Sequence, residues 1–556
     1  MTPSTREGDA PPTGGGAAFV PRWLEGTRAH GVSLQLYQLR SPRNFGVGDL
    51  GDLCALIAPF ARWGADFIGL NPVHALFTAD PERASPFSPS DRRFFNPLII
   101  AVDAVPGFRP QMLEAVNIPP AHEMVDYTAA TAAKLAVLHK IHALWQAGDA
   151  AVPEAAQRAA RQHARNGGKA LAAFALFEAL SHHMVRAGHG AGWAGWPAPY
   201  QAIGAPAVQA FAAAHAAEIS FHAWLQHIAE KQLSEVHQAA LSAGMRIGLY
   251  LDIAIGTVPD GAATWAEPDL AMRGVSIGAP PDVFSPEGQD WNLAPLAPTA
   301  LVERDFAPYD DVLAAAMGHA GAVRLDHAIG LEQLFLVPAG RPPEGGAHHP
   351  QTGLIERLIT ASHAQKTLVI GDDIGVPPTG FRERMAARRI FSTRILLFEH
   401  DRFKLRRPQD YPRDALACLS THDLAPLAAL WRADDVAVRL KLGRLSARAA
   451  RRERGIRFAG KQAILAMAGL SRLRALGPPS DRVVVAAHRL VATTAARLMA
   501  VRLEDVVGGR RLVNLPGTDR EHPNWRCTLP LTVDEIAKSP RLHAVMQAVA
   551  EERPKV

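Results

Sequence analysis

Cysteine is scarce. Only Cys54, Cys418 and Cys527 occur in 556 residues, far apart and outside any CxxC spacing. An odd, scattered set excludes a disulfide framework and leaves small, core-type thiols. No stretch of 18 uncharged apolar residues occurs, so no membrane span is expected. The opening MTPSTREGDAPPTGGG lacks the apolar region of a secretory signal, and a cytoplasmic protein is the expectation. Charge of one sign is also missing. A net charge of +5 over the whole chain is no nucleic-acid footprint. No repeat of 20–50 residues is visible, which excludes a solenoid. No HxH or HExxH spacing occurs either, and no metal is expected. What is present is an ordinary globular balance, 48% apolar and 20% charged.

The length suits three or four domains, or one large α/β barrel with insertions. Eight short apolar segments choose between them: 33–40, 66–73, 245–255, 321–330, 366–375, 394–400, 415–423 and 496–505. Each ends in polar or acidic residues, and most precede a helical pattern. Continuous apolar strands belong to parallel sheets, and eight of them predict a (β/α)8 TIM barrel. The spacing is uneven. More than 170 residues, largely Ala-rich and helical, separate the second and third strands, too many for one loop. The expected organisation is a loose tail over 1–20 and a catalytic barrel over 21–545. Helical insertions over 110–243 and 431–495 interrupt the barrel, and a C-terminal tail covers 546–556. The basic run within 431–495 reads as a solvated helix face.

In such a barrel, chemistry sits at the C-terminal ends of the strands. Asp252, Asp326, Asp372, Asp373, Asp423, His327 and His422 all fall there. A single Asp at a strand end is usually a helix cap or turn residue, but five with two histidines are hard to dismiss. In V-R-L-D-H (323–327), Arg324 and Asp326 share one side of a strand, so the arginine can hold the acid ionised and oriented. Neighbouring strands lie about 4.8 Å apart, which would bring Asp326 and Asp372 near the roughly 5–5.5 Å carboxyl spacing of a retaining glycosidase. Alternation puts Asp372 and Asp373 on opposite sides, so only one faces the cleft. A metal site built from the same acids and histidines is the rival reading, and Arg324 would compete with its cation. The loop PFSPSDRRFFNP (86–97), with Trp265 and Trp291, offers aromatic platforms for sugar rings, although such rings are more often packing.

These motifs resemble the 4-α-glucanotransferases (amylomaltases, disproportionating enzymes) of the α-amylase clan, in their longer bacterial form. The resemblance covers most of residues 30–530. It rests on YQLRSPRNFGVGDLGDL (37–53), LNPVHALFTADPERASPFSPSDRRFFNPLII (70–100), GLYLDIAIGTVPDGAATWAEPDL (248–270), GAPPDVFSPEGQDW (278–291), GAVRLDHAIGL (321–331), VIGDDIG (369–375), STHDLAPLAALW (420–431) and VNLPGTDREHPNWR (513–526). It implies a cofactor-free retaining transfer of α-1,4-glucan from a maltooligosaccharide or amylose donor to glucose or another glucan. It implies Asp326 as nucleophile, Arg324 as its orienting partner, Asp372 as acid/base and Asp423 as the carboxylate that grips and distorts the sugar. His327 and His422 hydrogen-bond that sugar, Asp252 is the acid of the early strand motif, and Trp291 stacks on the acceptor side.

Three departures stand out. Asp372 occupies a position where the family carries Glu, a reach shorter by about 1.5 Å, whereas proton transfer needs heavy atoms within about 2.6–3.2 Å. Phe87 stands where the family has Tyr. EGGAHHP (344–350) replaces a more aromatic loop. Two alternatives therefore stay open: an α-1,4-glucan hydrolase, and a glucan-binding member without turnover.

Overall fold

The computed structural model describes residues 16–555 apart from 121, 282–286, 376, 402–403, 471–476 and 519. Eight parallel strands close into a barrel: β1 (Ala29–Leu34), β2 (Phe67–Leu70), β3 (Gly248–Ile253), β4 (Ala322–Leu325), β5 (Leu368–Gly371), β6 (Phe391–Ile395), β7 (Ala415–Cys418) and β8 (Leu498–Arg502). Each pairs with its neighbour in sequence, and β8 pairs with β1. The strands are short, apolar and buried, because barrel interior and surrounding helices cover both faces. The expected (β/α)8 barrel is the architecture found.

Two strands start before their expected segments, and all eight end short of theirs. The first expected strand covers 33–40, but β1 ends at Leu34 and Leu36–Gln38 form a 3-10 turn. Asn71 Oδ1 accepts from the Leu36 amide at 2.8 Å and draws the chain out of the ladder. The sixth strand starts earlier than expected, at Phe391.

Helices Tyr127–Ala147, Glu154–Asn166, Gly168–Arg186, Pro206–Ala214 and Ala216–Ser242 fill the long β2–β3 connection. The last packs against β3 and against helix Leu50–Arg62, so it is the barrel's own return helix. Lys134 pins the first to the barrel. Its side chain is fully buried, and its ammonium donates to Leu98 O at 2.6 Å, Ile100 O at 2.9 Å and Asp49 Oδ2 at 3.3 Å. A buried ammonium is tolerable only when its donors are used in this way. Asp49 also caps Leu50–Arg62, accepting from Gly51 and Asp52 amides.

A four-stranded antiparallel sheet, which the sequence reading does not include, is built from the loops that follow β3 and β4. Its order is Ala347–Pro350, Gln333–Pro338, Val275–Ala279, Gln289–Leu293. The EGGAHHP segment supplies its edge strand.

The tail expected over 1–20 falls largely outside the described residues, but the Ala18 amide donates to Arg388 O and the Phe19 amide to Ser362 Oγ. At the other end, helix Pro540–Glu552 runs through most of 546–556. Arg553 is 1% exposed and donates to the carbonyls of Ala29, Ala492 and Thr494, which tie it to the barrel floor. Among the described residues no helix is long and apolar enough to cross a membrane. Cys418 and Cys527 are buried free thiols, and Cys54 is exposed.

Candidate active site

The acids meet because of strand register. Asp252 in β3 sits opposite Arg324 in β4, and Leu325 opposite Gly371 in β5. One step further on, Asp326 and Asp372 leave neighbouring strands side by side. Their amides continue the ladder, donating to Ile253 O and Leu325 O at 3.0 Å each. Gly371 permits the close approach of the next turn. A Cβ there would lie 2.9 Å from Ala328 Cβ, and the Ala328 amide donates to Asp372 O at 2.9 Å.

One guanidinium holds all three acids. Arg324 Nη1 lies 2.7 and 2.8 Å from the Asp252 oxygens and 3.2 Å from Asp326 Oδ1. Nη2 lies 2.5 Å from Asp372 Oδ2. The sequence reading pairs Arg324 with Asp326, but the cation is shared three ways and Asp326 makes the longest contact. Both Asp372 oxygens are engaged, because Oδ1 accepts from the Ile374 amide at 3.2 Å. Asp373 points away, to the Thr393 amide at 3.0 Å and Arg382 Nε at 2.7 Å.

One cation cannot neutralise three carboxylates in a buried site, so protons are retained. Burial pushes Asp326 up to about 8 and Asp252 up to about 6. Arg324 opposes this, and neighbouring carboxylates add to it. Burial also raises Asp372, against Arg324 and the Ile374 amide. Among the described residues no group of His, Cys, Asp and Glu has the geometry to hold a metal ion.

The opposite rim comes from the β7 end. Asp423 accepts from Asn514 Nδ2 at 2.9 Å and lies 3.3 Å from His422 Nε2. Burial works against its charge, but His422, Asn514 and Arg324 hold its carboxyl below the usual range. Burial brings His422 down to about 4, so its ring is neutral at pH 7. That ring stacks on Phe87, centroids 4.8 Å apart and planes at 25°, with Trp525 5.3 Å from Phe87 and 5.6 Å from His422. Arg502 in β8 braces the turn from behind, donating to Ser420 Oγ at 3.1 Å and Leu424 O at 2.9 Å. Asp505 accepts from Ser420 Oγ at 2.7 Å and from the Leu427 amide at 2.6 Å.

The antiparallel sheet closes the third side. Trp291 meets His327 edge to face at 5.0 Å. His327 has φ +46, a left-handed conformation unusual for a residue with a side chain, and burial lowers its imidazole to about 4. Every expected site residue thus joins one of three adjoining groups: Arg324 with Asp252, Asp326 and Asp372; Asp423 with His422 and Phe87; and His327 with Trp291. Trp265 does not, being 2% exposed with its indole donating to Tyr200 O. Sequence reasoning overlooked Asn514, Trp525 and Arg502, although the first two lie in the quoted segment 513–526.

Comparison with known proteins follows the same line. A family model described as 4-alpha-glucanotransferase matches residues 34–532. A 4-alpha-glucanotransferase of Haemophilus influenzae is 35% identical over 536 residues, covering 91% of this chain and 76% of the relative. One of Mycobacterium tuberculosis is 34% identical over 570 residues, covering 95% and 76%. Among solved structures, amylomaltase from Corynebacterium glutamicum superposes with TM-score 0.81 at 28% identity, covering 95% of this chain and 76% of that one. Amylomaltase from Streptococcus agalactiae has the same fold, with TM-score 0.77 at 17% identity, covering 94% and 98%. The chain belongs to the 4-alpha-glucanotransferase family.

Proposed function

We propose that this chain moves α-1,4-glucan segments from a maltooligosaccharide or amylose donor to the 4-hydroxyl of glucose or another glucan, with retention of configuration. Asp326 attacks the anomeric carbon while protonated Asp372 gives its proton to the departing glycosidic oxygen. Asp372 then takes the proton of the incoming 4-hydroxyl as the acceptor displaces Asp326. The observation that carries this reading is the register pairing of Asp326 and Asp372 around one guanidinium. Burial raises Asp372, which favours the protonated form that the acid needs. Asp423, His422 and His327 surround the cleft as polar groups for the sugar at the cleavage point, and Phe87, Trp525 and Trp291 provide ring faces. The reaction needs no metal or organic cofactor. Free thiols without disulfides suit a reducing cytoplasm.

Incubation with pure maltotriose tests this. Transfer gives a ladder of longer and shorter oligomers plus glucose, with reducing ends constant. A rising reducing-end count would mean hydrolysis instead. A second reading, binding without turnover, draws on the double engagement of Asp372. Its signature is maltooligosaccharide affinity with no product after long incubation.

A further inference from the structure

Arg92 lies outside this chemistry, on strand Asp91–Phe95, and is 6% exposed. Its Nη1 donates to Ala254 O at 3.0 Å and Ile255 O at 2.9 Å, just past the end of β3. Its Nε is buried with no hydrogen-bond partner. Among the described residues no carboxylate forms an ion pair with it. The two acids that line the same cavity are already taken, and a third, Asp311, lies in the field of Arg93, Glu267 and Asp91. Asp91 accepts from Arg93 at 2.8 and 3.1 Å, and Glu267 from Arg93 at 2.5 Å and Arg304 at 2.6 Å. Burial lowers the Arg92 guanidinium only to about 10, so it stays charged at neutral pH. Buried charges are ordinarily paired, and this one is not.

Arg92 is one of the residues lining a cavity of about 40 Å³, together with Asp91, Arg93, Thr257, Glu267 and Ala271. A single water needs roughly 10–15 Å³ of such space. We propose that this cavity binds a small monovalent anion, a halide or a short carboxylate, seated against Arg92. The anion would complete the charge balance beneath the antiparallel sheet. Through Arg92 it would also steady Ala254 and Ile255, which follow the strand that carries Asp252.

The test measures thermal unfolding at fixed ionic strength while bromide or acetate replaces gluconate, together with anomalous scattering from crystals grown in bromide. The expected results are a midpoint rise of about 1–2 °C with at least one of the two anions, and bromide density beside Arg92 if the halide is that anion. The rise should vanish in Arg92→Gln, which removes the charge. It should also vanish in Ala271→Leu, which keeps the charge and fills the space, so the outcome does not depend on one variant folding. A rise with acetate alone assigns the site to short carboxylates. Identical midpoints in all three salts, or a rise that persists in Ala271→Leu, would overturn the proposal.

Discussion

Arg324 Nη2 and Asp372 Oδ2 lie 2.5 Å apart. The side chain proposed as acid/base therefore spends its short arm on a guanidinium. Lengthening it separates the two tasks. Asp372→Glu should keep or raise the transfer rate, because the extra methylene reaches toward the leaving oxygen. Asp372→Asn should lose about 10²–10⁴-fold in kcat, the usual worth of a general acid. Initial rates of glucose release from maltotriose decide it, and an Asn variant as fast as the parent would remove Asp372 from the chemistry.

The pH profile has a definite sign. Asp326 must be ionised to attack, and burial with neighbouring carboxylates pushes it up to about 8. In the free enzyme kcat/KM should fall as pH drops below that value, far above the ordinary carboxylate range. Because Asp252 and Asp326 share Arg324, the limb belongs to the group rather than to one residue. Asp252→Asn removes a like charge and releases part of Arg324, so the limb should shift to lower pH. A limb that stays in place would mean that Asp252 does not feel Asp326.

The same shift affects stability. An unfolded-chain Asp titrates near about 3.9, whereas folded Asp326 titrates at about 8. Between these values the folded state holds the extra proton, so Asp326 costs stability progressively as pH rises. Asp326→Asn cannot ionise. Its thermal midpoint should exceed the parent's at pH 8 by about 1–3 °C, and the gap should close by pH 4. Equal midpoints throughout would contradict the burial-driven shift.

On the other rim, Asn514→Ala removes the amide that holds Asp423 Oδ1. A hydrogen bond to a charged group contributes about 1.5–3 kcal/mol, so kcat/KM should fall about 10–100-fold with little change in thermal midpoint. Phe87→Ala should instead act mainly on KM, because the ring stacks on His422 and, in the proposed function, serves as a face for sugar. Steady-state kinetics on maltotriose separate the two effects.

The barrel was legible because its strands are buried on both faces and so read as continuous apolar runs. The strand-end position of Asp252, Asp326, Asp372 and Asp423 followed from those runs, and simple alternation turned Asp373 away from Asp372. The sharing of Arg324 was not legible. It depends on the register of three strands drawn from residues 248 to 371. The antiparallel sheet escaped for a similar reason, since Val275–Ala279 pairs with Gln333–Pro338 across a long stretch of chain. Asn514 and Trp525 carry no periodic signal, and only folding brings them to Asp423 and His422. Nor does composition reveal that Arg553 is held by three carbonyls rather than loose in solvent.

The central claim is that Asp326 becomes glucosylated during turnover. The direct measurement is intact-mass and peptide mapping after reaction with a glucosyl fluoride whose intermediate breaks down slowly. The account expects one added glucosyl unit on the peptide containing Asp326, absent in Asp326→Asn. An adduct on another residue, or products of inverted configuration with no adduct, would contradict it.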